Sequence, residues 1–383
     1  MVSAKVSAMS LRMRSVLLTV ISLLALLGTG TAQAAPVAAP AGFSPTQLVG
    51  PFASDIPAGG TYLPELNGFE TLRKNNPALM RTNLNKVIAI NNAATKAQQA
   101  DALAIDHEDR LLSLSAALGT NVGAAFRKLL ADDKLPKVAQ LAEGDLARAG
   151  IPLQHTLIEK QIYDNPRPFV VAPKSIKRYN LPGSDLYAEL ADNGSYPSGH
   201  TNMGYWKGAL LAYWLPELGP QIIARAGEIG RSRMVLGVHY PLDVMGGRIM
   251  ATVVASSRLT DPAFAKLIDA AGVQLRTQLR KALGKPLAQA IAADKPYLTT
   301  AQAVAEHRQM MTYGFARIAP KQVNQIPAAA ASLLATRFPN LTNAQRLEIL
   351  RRTAIPAGYP LDQSGANGGW LRIDLAAAYA ATP

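Results

Sequence analysis

The residues best suited to chemistry form a short stretch, GSYPSGHT, at positions 194–201. Pro197 and Gly199 predict a turn, and the apolar run that follows predicts a buried helix with Ser198 as its N-cap. The first N–H groups of a helix lack intrahelical partners and carry the positive end of its dipole, so they attract an anion. His200 would lie at that anion and exchange a proton with it. Taken alone, the stretch also fits a turn that caps a core helix beside a chance histidine.

A second block, KQIYDNPRP, supplies two cations upstream. Lys160 and Arg167 are seven residues apart, which is close to two helical turns. This spacing predicts that both project from one side of a helix that ends near residues 165–166, where a proline disfavours further helix.

A third block, SRMVLGVHYPLD, follows at residues 232–243. Its glycine predicts a helix end and its proline predicts the first residue of the next helix, which places His239 in a short joint. Asp243 comes four residues later. A carboxylate there can hold one imidazole nitrogen and leave the lone pair of the other nitrogen free for attack. With Arg233 in the same block, the three blocks predict a site for a phosphate group and for its transfer.

The three blocks, in this order and spacing, resemble the signature of the type 2 phosphatidic acid phosphatase superfamily, which includes the vanadium haloperoxidases. Within it, GSYPSGHT and the RPF at residues 167–169 are similar to the bacterial class A non-specific acid phosphatases. The resemblance covers roughly residues 91–275. It implies an all-α helical bundle of the acid phosphatase and vanadium haloperoxidase type, here with a mostly helical C-terminal extension.

The resemblance also implies a mechanism, the hydrolysis of phosphate monoesters through a phosphohistidine without a cofactor or metal. His239 would be the nucleophile, Asp243 would orient it, and His200 would protonate the leaving group and then activate water. The optimum would be acidic to near neutral, because His200 loses its proton at high pH. The residues that would hold the phosphate are Lys160, Arg167, Ser198, Gly199 and Arg233.

Two other classes of protein share such a pocket. In a vanadium-dependent haloperoxidase, vanadate would occupy the phosphate position and the nucleophile would become a metal-oxide ligand. In a non-catalytic secreted binding protein, the pocket would only retain anions. The form GSYPSGHT and the spacing of the blocks favour the phosphatase.

The composition of the chain restricts the class of protein and the partners that it could bind. The chain of 383 residues is 49% hydrophobic and 17% charged, which is typical of a globular protein. It has no cysteine, which excludes disulfides and a thiolate nucleophile. The 39 Lys and Arg against 26 Asp and Glu give a net charge of +13, which would steer anionic substrates. No basic run is interleaved with aromatic residues, so no nucleic-acid partner is expected.

Residues 1–34 have the pattern of a secretory signal peptide. Lys5, Arg12 and Arg14 form a basic start, residues 16–27 an apolar segment, and Ala-Gln-Ala a cleavage site before position 35. The alternative is an uncleaved anchor, but twelve apolar residues are too few to span a bilayer. The mature protein is therefore predicted to be periplasmic or secreted, with no membrane span.

The rest of the chain divides into three predicted segments: an Ala/Pro/Gly-rich leader at 35–61, a helical phosphatase domain at 62–284 and an extension at 285–383. The extension shows no catalytic pattern. It is predicted to pack on the bundle or to mediate homo-oligomers, with an accessory binding role as the alternative.

Three features near the blocks have weaker interpretations. The acidic run at residues 106–109 is predicted to be a solvated turn, because its spacing matches no usual metal site. His155 lies outside the family pattern and is interpreted as a packed or surface residue. Residues 170–194 predict an irregular loop that forms the rim of the pocket and selects the leaving group. The tyrosines proposed for contact with that group, with core packing as the alternative, are Tyr163, Tyr179, Tyr187 and Tyr196.

Overall fold

The computed structural model describes residues 39–150 and 156–383. The predicted signal peptide and His155 lie outside the described residues. Within those two ranges the regular structure is helical and no strand occurs, so the predicted all-α fold is confirmed. The α-helices, in chain order, are α1 Pro45–Val49, α2 Leu63–Leu66, α3 Gly68–Asn75, α4 Pro77–Ala93, α5 Lys96–His107, α6 Arg110–Leu114, α7 Thr120–Ala131, α8 Pro136–Ala142, α9 Leu157–Tyr163, α10 Pro168–Val171, α11 Leu186–Leu190, α12 Gly199–Trp214, α13 Gly219–Val235, α14 Pro241–Thr260, α15 Pro262–Leu283, α16 Leu287–Ala292, α17 Thr300–Thr312, α18 Asn343–Thr353 and α19 Leu375–Ala380.

Helices α12, α13 and α14 pack against one another at the centre of the fold. They are buried around most of their circumference, as expected for helices whose apolar residues are not confined to one face. Glycines permit their close approach. A Cβ atom on Gly230 of α13 would lie 2.7 Å from Cγ1 of Val244 on α14. A Cβ atom on Gly247 of α14 would lie 2.5 Å from the carbonyl oxygen of Ser198.

The central helices begin and end where the sequence predicts. Ser198 is the N-cap of α12, and its Oγ accepts a hydrogen bond from the N–H of Thr201 at 3.4 Å. Gly237 follows α13 with φ of +69°, a conformation that favours glycine. Pro241 is the first residue of α14. A short joint that contains His239 therefore connects α13 and α14.

The prediction that Lys160 and Arg167 share one helix is wrong. Helix α9 ends at Tyr163, and Asp164 after it has φ of +41°. Arg167 is extended, with φ of −72° and ψ of 154°, and immediately precedes α10. The physical reason lies in the sequence: prolines at 166 and 168 disfavour helical conformation in the residues before them.

Residues 170–194 are more regular than predicted. The segment contains the end of α10 and all of α11. Asp185 caps α11, because its Oδ1 accepts hydrogen bonds from the N–H groups of Tyr187 at 3.1 Å and Ala188 at 3.2 Å. The many turn residues of this segment hid a one-turn helix whose cap the sequence contains.

The C-terminal residues pack against the central helices. The guanidinium of Arg248, on α14, is buried and donates to the carbonyl oxygens of Leu371 at 2.9 Å and Met311 at 3.3 Å. A capping box predicted at the start of α18 is present, since Thr342 and Gln345 each accept a hydrogen bond from the backbone of the other. The domain boundary proposed after residue 284 stays a prediction.

Among the residues that the structure describes, no helix combines the length and the apolar character needed to cross a bilayer.

Candidate active site

The start of α12 and the start of α14 are joined by a direct backbone contact. The N–H of Ser198 donates to the carbonyl oxygen of Asp243 at 3.0 Å. The hydroxyl of Thr201 donates to Oγ of Ser198 at 2.8 Å, which holds the capping side chain in place. Ser198 and Asp243 are both fully buried. The second and third sequence blocks therefore meet at one point.

His239 and Asp243 form the predicted pair. Nδ1 of His239 lies 3.1 Å from Oδ2 of Asp243, and the same oxygen accepts a hydrogen bond from the N–H of Tyr240 at 2.8 Å. A carboxylate at this distance holds the ring proton on Nδ1. The lone pair of His239 is then on Nε2, which is the nitrogen required for attack.

Arg167 lies at that second nitrogen. Its Nη1 is 3.2 Å from Nε2 of His239 and donates to the carbonyl oxygen of Val238 at 2.9 Å. Its Nε donates to the carbonyl oxygen of Asn193 at 2.8 Å. Arg167 is 2% exposed, so this cation is held in place beside the imidazole.

Lys160 approaches the same site from α9. Its Nζ donates to the carbonyl oxygen of Gly194 at 2.6 Å and lies 3.4 Å from that of Ser195. The backbones are in close contact, because a Cβ atom on Gly194 would lie 2.6 Å from the carbonyl oxygen of Lys160. The glycine that opens GSYPSGHT is therefore needed for the approach of α9.

Arg233 and His200 are connected by a residue that the sequence blocks do not contain. Oδ1 of Asp106 lies 2.5 Å from Nη1 of Arg233 and 3.3 Å from Nε2 of His200. Arg233 is 1% exposed, whereas about a quarter of the His200 side chain is exposed. Asp106 thus lies in contact with both Arg233 and His200 and holds the two side chains next to each other.

The prediction that residues 106–109 form a solvated acidic turn is therefore wrong for Asp106, whereas His107 and Glu108 are exposed. The side chain of Asp106 is only 7% exposed. A signal was present in the sequence: Asp106 lies four residues after Ala102, which is buried on α5. Residues at this spacing share a helix face, so Asp106 faces the core and can reach a buried cation. Within the described residues no group of His, Asp and Glu is arranged to hold a metal ion.

The charges in the site act strongly on one another. Burial lowers the pKa of His239 well below its usual range, and Arg167, Lys160 and Arg233 lower it further. Burial also lowers the pKa of Lys160, with Arg167 as the next cause, and lowers the pKa of Arg167 to about 10. The positive charges of the three basic side chains therefore disfavour a protonated His239. A bound anion would relieve their mutual repulsion.

His200 and Asp243 are shifted in opposite directions. Burial lowers the pKa of His200 to about 3, and Arg233 adds to this. Burial raises the pKa of Asp243 to about 7, against the effects of the Tyr240 N–H, Lys160 and Arg167. His200 is therefore neutral near pH 7.

The tyrosines proposed for leaving-group contact lie mainly in the core. Tyr196 is fully buried and stacks on Phe69 with ring centroids 3.9 Å apart, and Tyr163 packs edge-on against both rings. The hydroxyl of Tyr187 donates to the carbonyl oxygen of Leu236 at 2.7 Å, while that of Tyr179 donates to Asn91 at 3.1 Å. The core alternative is the one that the structure supports.

Comparison with known proteins shows what part of the chain is similar to. Residues 146–263 match the model of the PAP2 superfamily, a range that contains all three sequence blocks. This segment is therefore similar to a PAP2 superfamily domain. In the described part of the matched range lie Lys160, Arg167, Ser198, Gly199, His200, Arg233, His239 and Asp243.

Curated relatives agree with the PAP2 assignment. The chain is 31% identical over 147 residues to a non-specific acid phosphatase of Providencia stuartii, a match that covers 38% of this chain and 56% of the relative. It is 36% identical over 111 residues to the non-specific acid phosphatase of Salmonella typhimurium, covering 29% and 42%. An acid phosphatase of Zymomonas mobilis is 43% identical over 63 residues, covering 16% and 24%.

These matches confirm the resemblance to the class A acid phosphatases, which the sequence blocks predicted. The chain spans about half the length, or less, of the curated relatives it matches.

Proposed function

We propose that this protein is a secreted or periplasmic phosphomonoesterase that works through a phosphohistidine at His239. One observation carries the proposal: Nε2 of His239 lies 3.2 Å from Nη1 of Arg167, while Nδ1 lies 3.1 Å from Asp243. A neutral imidazole held in this way presents a lone pair beside a fixed cation. The relatives named above are acid phosphatases, which supports the same reaction for this chain.

In the proposed complex, the phosphate replaces contacts that Lys160 and Arg167 make with backbone oxygens. Lys160, Arg167 and Arg233 bind the phosphoryl oxygens, together with the Ser198 hydroxyl and the N–H groups of residues 199 and 200. Fixed positive charge around the equatorial oxygens is the main source of catalysis in phosphoryl transfer.

The first step transfers the phosphoryl group to the enzyme. Nε2 of His239 attacks phosphorus, and the bond between phosphorus and the ester oxygen breaks. The bonding electron pair leaves with that oxygen, which takes a proton from His200. Asp243 stabilises the positive charge that develops on the His239 ring.

The second step releases phosphate. His200, now neutral, removes a proton from a water molecule as its oxygen attacks the phosphohistidine. The bond between phosphorus and Nε2 breaks, and its electron pair returns to His239. Free phosphate leaves, and His200 is protonated for the next cycle.

The protonation of His200 fits this scheme once the substrate is bound. Burial and Arg233 lower the pKa of His200, whereas Asp106 raises it. A phosphate dianion places negative charge between these groups, so it raises the pKa of His200 toward the working pH. The general acid is then formed by substrate binding, and activity is lost at high pH.

The substitution His239→Ala tests the assignment. We expect loss of p-nitrophenyl phosphate hydrolysis with measurable affinity for inorganic phosphate retained, because the cations stay in place. Unchanged turnover would rule out His239 as the nucleophile. Oxidation of bromide by added hydrogen peroxide, catalysed by the vanadate-loaded protein, without phosphatase activity in the vanadate-free protein, would favour the haloperoxidase instead.

A further inference from the structure

A cavity of about 190 Å³ opens beside Lys160 and the first turn of α12. It shares two residues, Lys160 and Gly199, with the proposed phosphate site. No residue of the joint that carries His239 lines it. The lining residues are Thr156, Leu157, Lys160, Asn193, Gly199, Asn202 and Met203.

This position fits the leaving group of the ester. In phosphoryl transfer the attacking and leaving atoms lie roughly in line on opposite sides of phosphorus. The leaving group therefore faces away from His239 and toward His200, which protonates it. Gly199, the neighbour of His200, lines the cavity.

The wall of this cavity has an apolar part. Leu157 and Met203 contribute apolar side chains, and Leu157 is 58% exposed at its mouth. The next residue of α9, Ile158, is also an exposed apolar residue. The apolar face of an alcohol would cover Leu157 and remove its side chain from water.

A second cavity, of about 180 Å³, also borders Lys160. It shares Leu157, Lys160 and Asn193 with the first cavity, so the two cavities are adjacent. Asp164 and Asp192 line only the second cavity. Two carboxylates here repel a further anionic group on the substrate.

We propose that these two cavities select the leaving group, an inference that rests on the proposed phosphatase function. The first cavity, through Leu157 and Met203, binds the apolar face of a neutral alcohol, such as an aryl or alkyl group. The second cavity, through Asp164 and Asp192, disfavours substrates that carry a second phosphate. The preferred substrates are monophosphate esters of neutral alcohols with an apolar face.

The substitution Leu157→Asn tests the apolar contact. We expect KM for phenyl phosphate to rise about three- to tenfold, because loss of a small apolar contact weakens the binding of an apolar group by a factor of this size. KM for glycerol phosphate should be unchanged. Ile162→Asn is the matched control, because Ile162 is 55% exposed on the same helix and lines neither cavity. Equal KM changes for both substrates, or none, would overturn the apolar contact.

The substitutions Asp164→Asn and Asp192→Asn test the repulsion. We expect kcat/KM for fructose 1,6-bisphosphate to rise severalfold relative to phenyl phosphate, because each change removes one negative charge. Asparagine also tolerates the positive φ at residue 164. An unchanged ratio would overturn the role of the two carboxylates.

Binding of non-hydrolysable phosphonates separates this inference from the proposed function. We expect phenylphosphonate to bind more tightly than methylphosphonate, and Leu157→Asn to remove most of the difference. If the wild-type protein hydrolyses glycerol phosphate but shows no phenyl preference, the leaving-group inference fails and the phosphatase stands. If the phenyl preference is present without turnover of any ester, the phosphatase fails and the cavity assignment stands.

Discussion

Asp106 lies with its Oδ1 atom 3.3 Å from Nε2 of His200. The same carboxylate is 2.5 Å from Arg233, so an acidic residue from α5 reaches both a proposed phosphate ligand and the proposed general acid. Burial alone would raise the pKa of Asp106, but His200 and Arg233 outweigh it and hold the pKa below its usual range. Asp106 therefore stays ionised and counterbalances the cations that lower the pKa of His200.

The substitution Asp106→Asn tests this positioning role. We expect kcat/KM for an aryl phosphate to fall about tenfold or more, short of the roughly hundredfold or greater loss expected when a general acid is removed. The amide no longer raises the pKa of His200, so the limb where activity falls with rising pH should move to lower pH. The pH profile of kcat measures this shift. A merely structural role would reduce activity without moving the profile. Asp132→Asn, in an exposed pair with Lys128, is the control.

Anion binding should be coupled to proton uptake. Burial lowers the pKa of His200 to about 3, and a bound dianion would raise it. Sulfate is a suitable probe because it remains a dianion over the whole range from about pH 5 to about pH 7. We expect sulfate affinity to increase as the pH falls over this range. Calorimetry in two buffers with different ionisation enthalpies measures the protons taken up. Binding without proton uptake, at an affinity independent of pH, would contradict the scheme.

Gly247 should be intolerant of a side chain. Its Cβ position would lie 2.5 Å from the carbonyl oxygen of Ser198 and 2.9 Å from Cβ of Thr201. The substitution Gly247→Ala would separate α12 from α14 at the point where Ser198 bonds to Asp243. We expect a loss of about 1–3 kcal/mol in the free energy of unfolding, as for other overpacked cores. Urea denaturation measures this loss, and a stability equal to that of the wild type would show that the two helices can separate at no cost.

The contact between the C-terminal residues and α17 should contribute to stability. Asp374 is fully buried, and its oxygens lie 2.9 Å from Nδ1 of His307 and 3.0 Å from Nε of Arg308. Asp374→Asn should lower the free energy of unfolding at pH 7 by about 3 kcal/mol, because a buried pair is broken. Asp269→Asn is the comparison. The carboxylate of Asp269 accepts a hydrogen bond from the Tyr213 hydroxyl, and this bond is partly exposed.

The difference in unfolding free energy between the wild type and Asp374→Asn should depend on pH. Burial acts to raise the pKa of Asp374, but the hydrogen bond and charge of His307 outweigh it and lower the pKa. A carboxyl group with a depressed pKa stabilises the fold above its unfolded value of about 4 and loses this contribution as the pH falls further. The difference in unfolding free energy between wild type and Asp374→Asn should therefore shrink from pH 7 to pH 3. A difference that is constant over this range would exclude the ionised carboxylate as its source.

The sequence alone predicted the parts of the site that depend on local rules. Ser198 caps α12, Gly237 and Pro241 bound the joint, and His239 meets Asp243, because each relation involves residues within a few positions. The meeting of the three blocks followed from their resemblance to a known family, since no local rule brings residues 160, 200 and 239 together.

What the sequence did not predict depends on tertiary contacts. Asp106 stands in an acidic run that suggests exposure, and only the packing of α5 on the core brings it to Arg233. Arg167 was assigned to the helix of Lys160, because helical spacing was given more weight than the prolines around it. The burial of Arg248 against the carbonyl oxygens of the C-terminal segment involves residues more than a hundred positions apart.

The most direct test of the central claim is the detection of a phosphoryl group on His239 during turnover. Rapid quenching into alkali, which preserves phosphohistidine, followed by mass spectrometry of the peptides, would locate the group. We expect the phosphoryl group on the peptide that contains His239, and we expect no such modification in His239→Ala. Steady turnover of phosphate esters with no modified histidine, or with the group on His200, would contradict it.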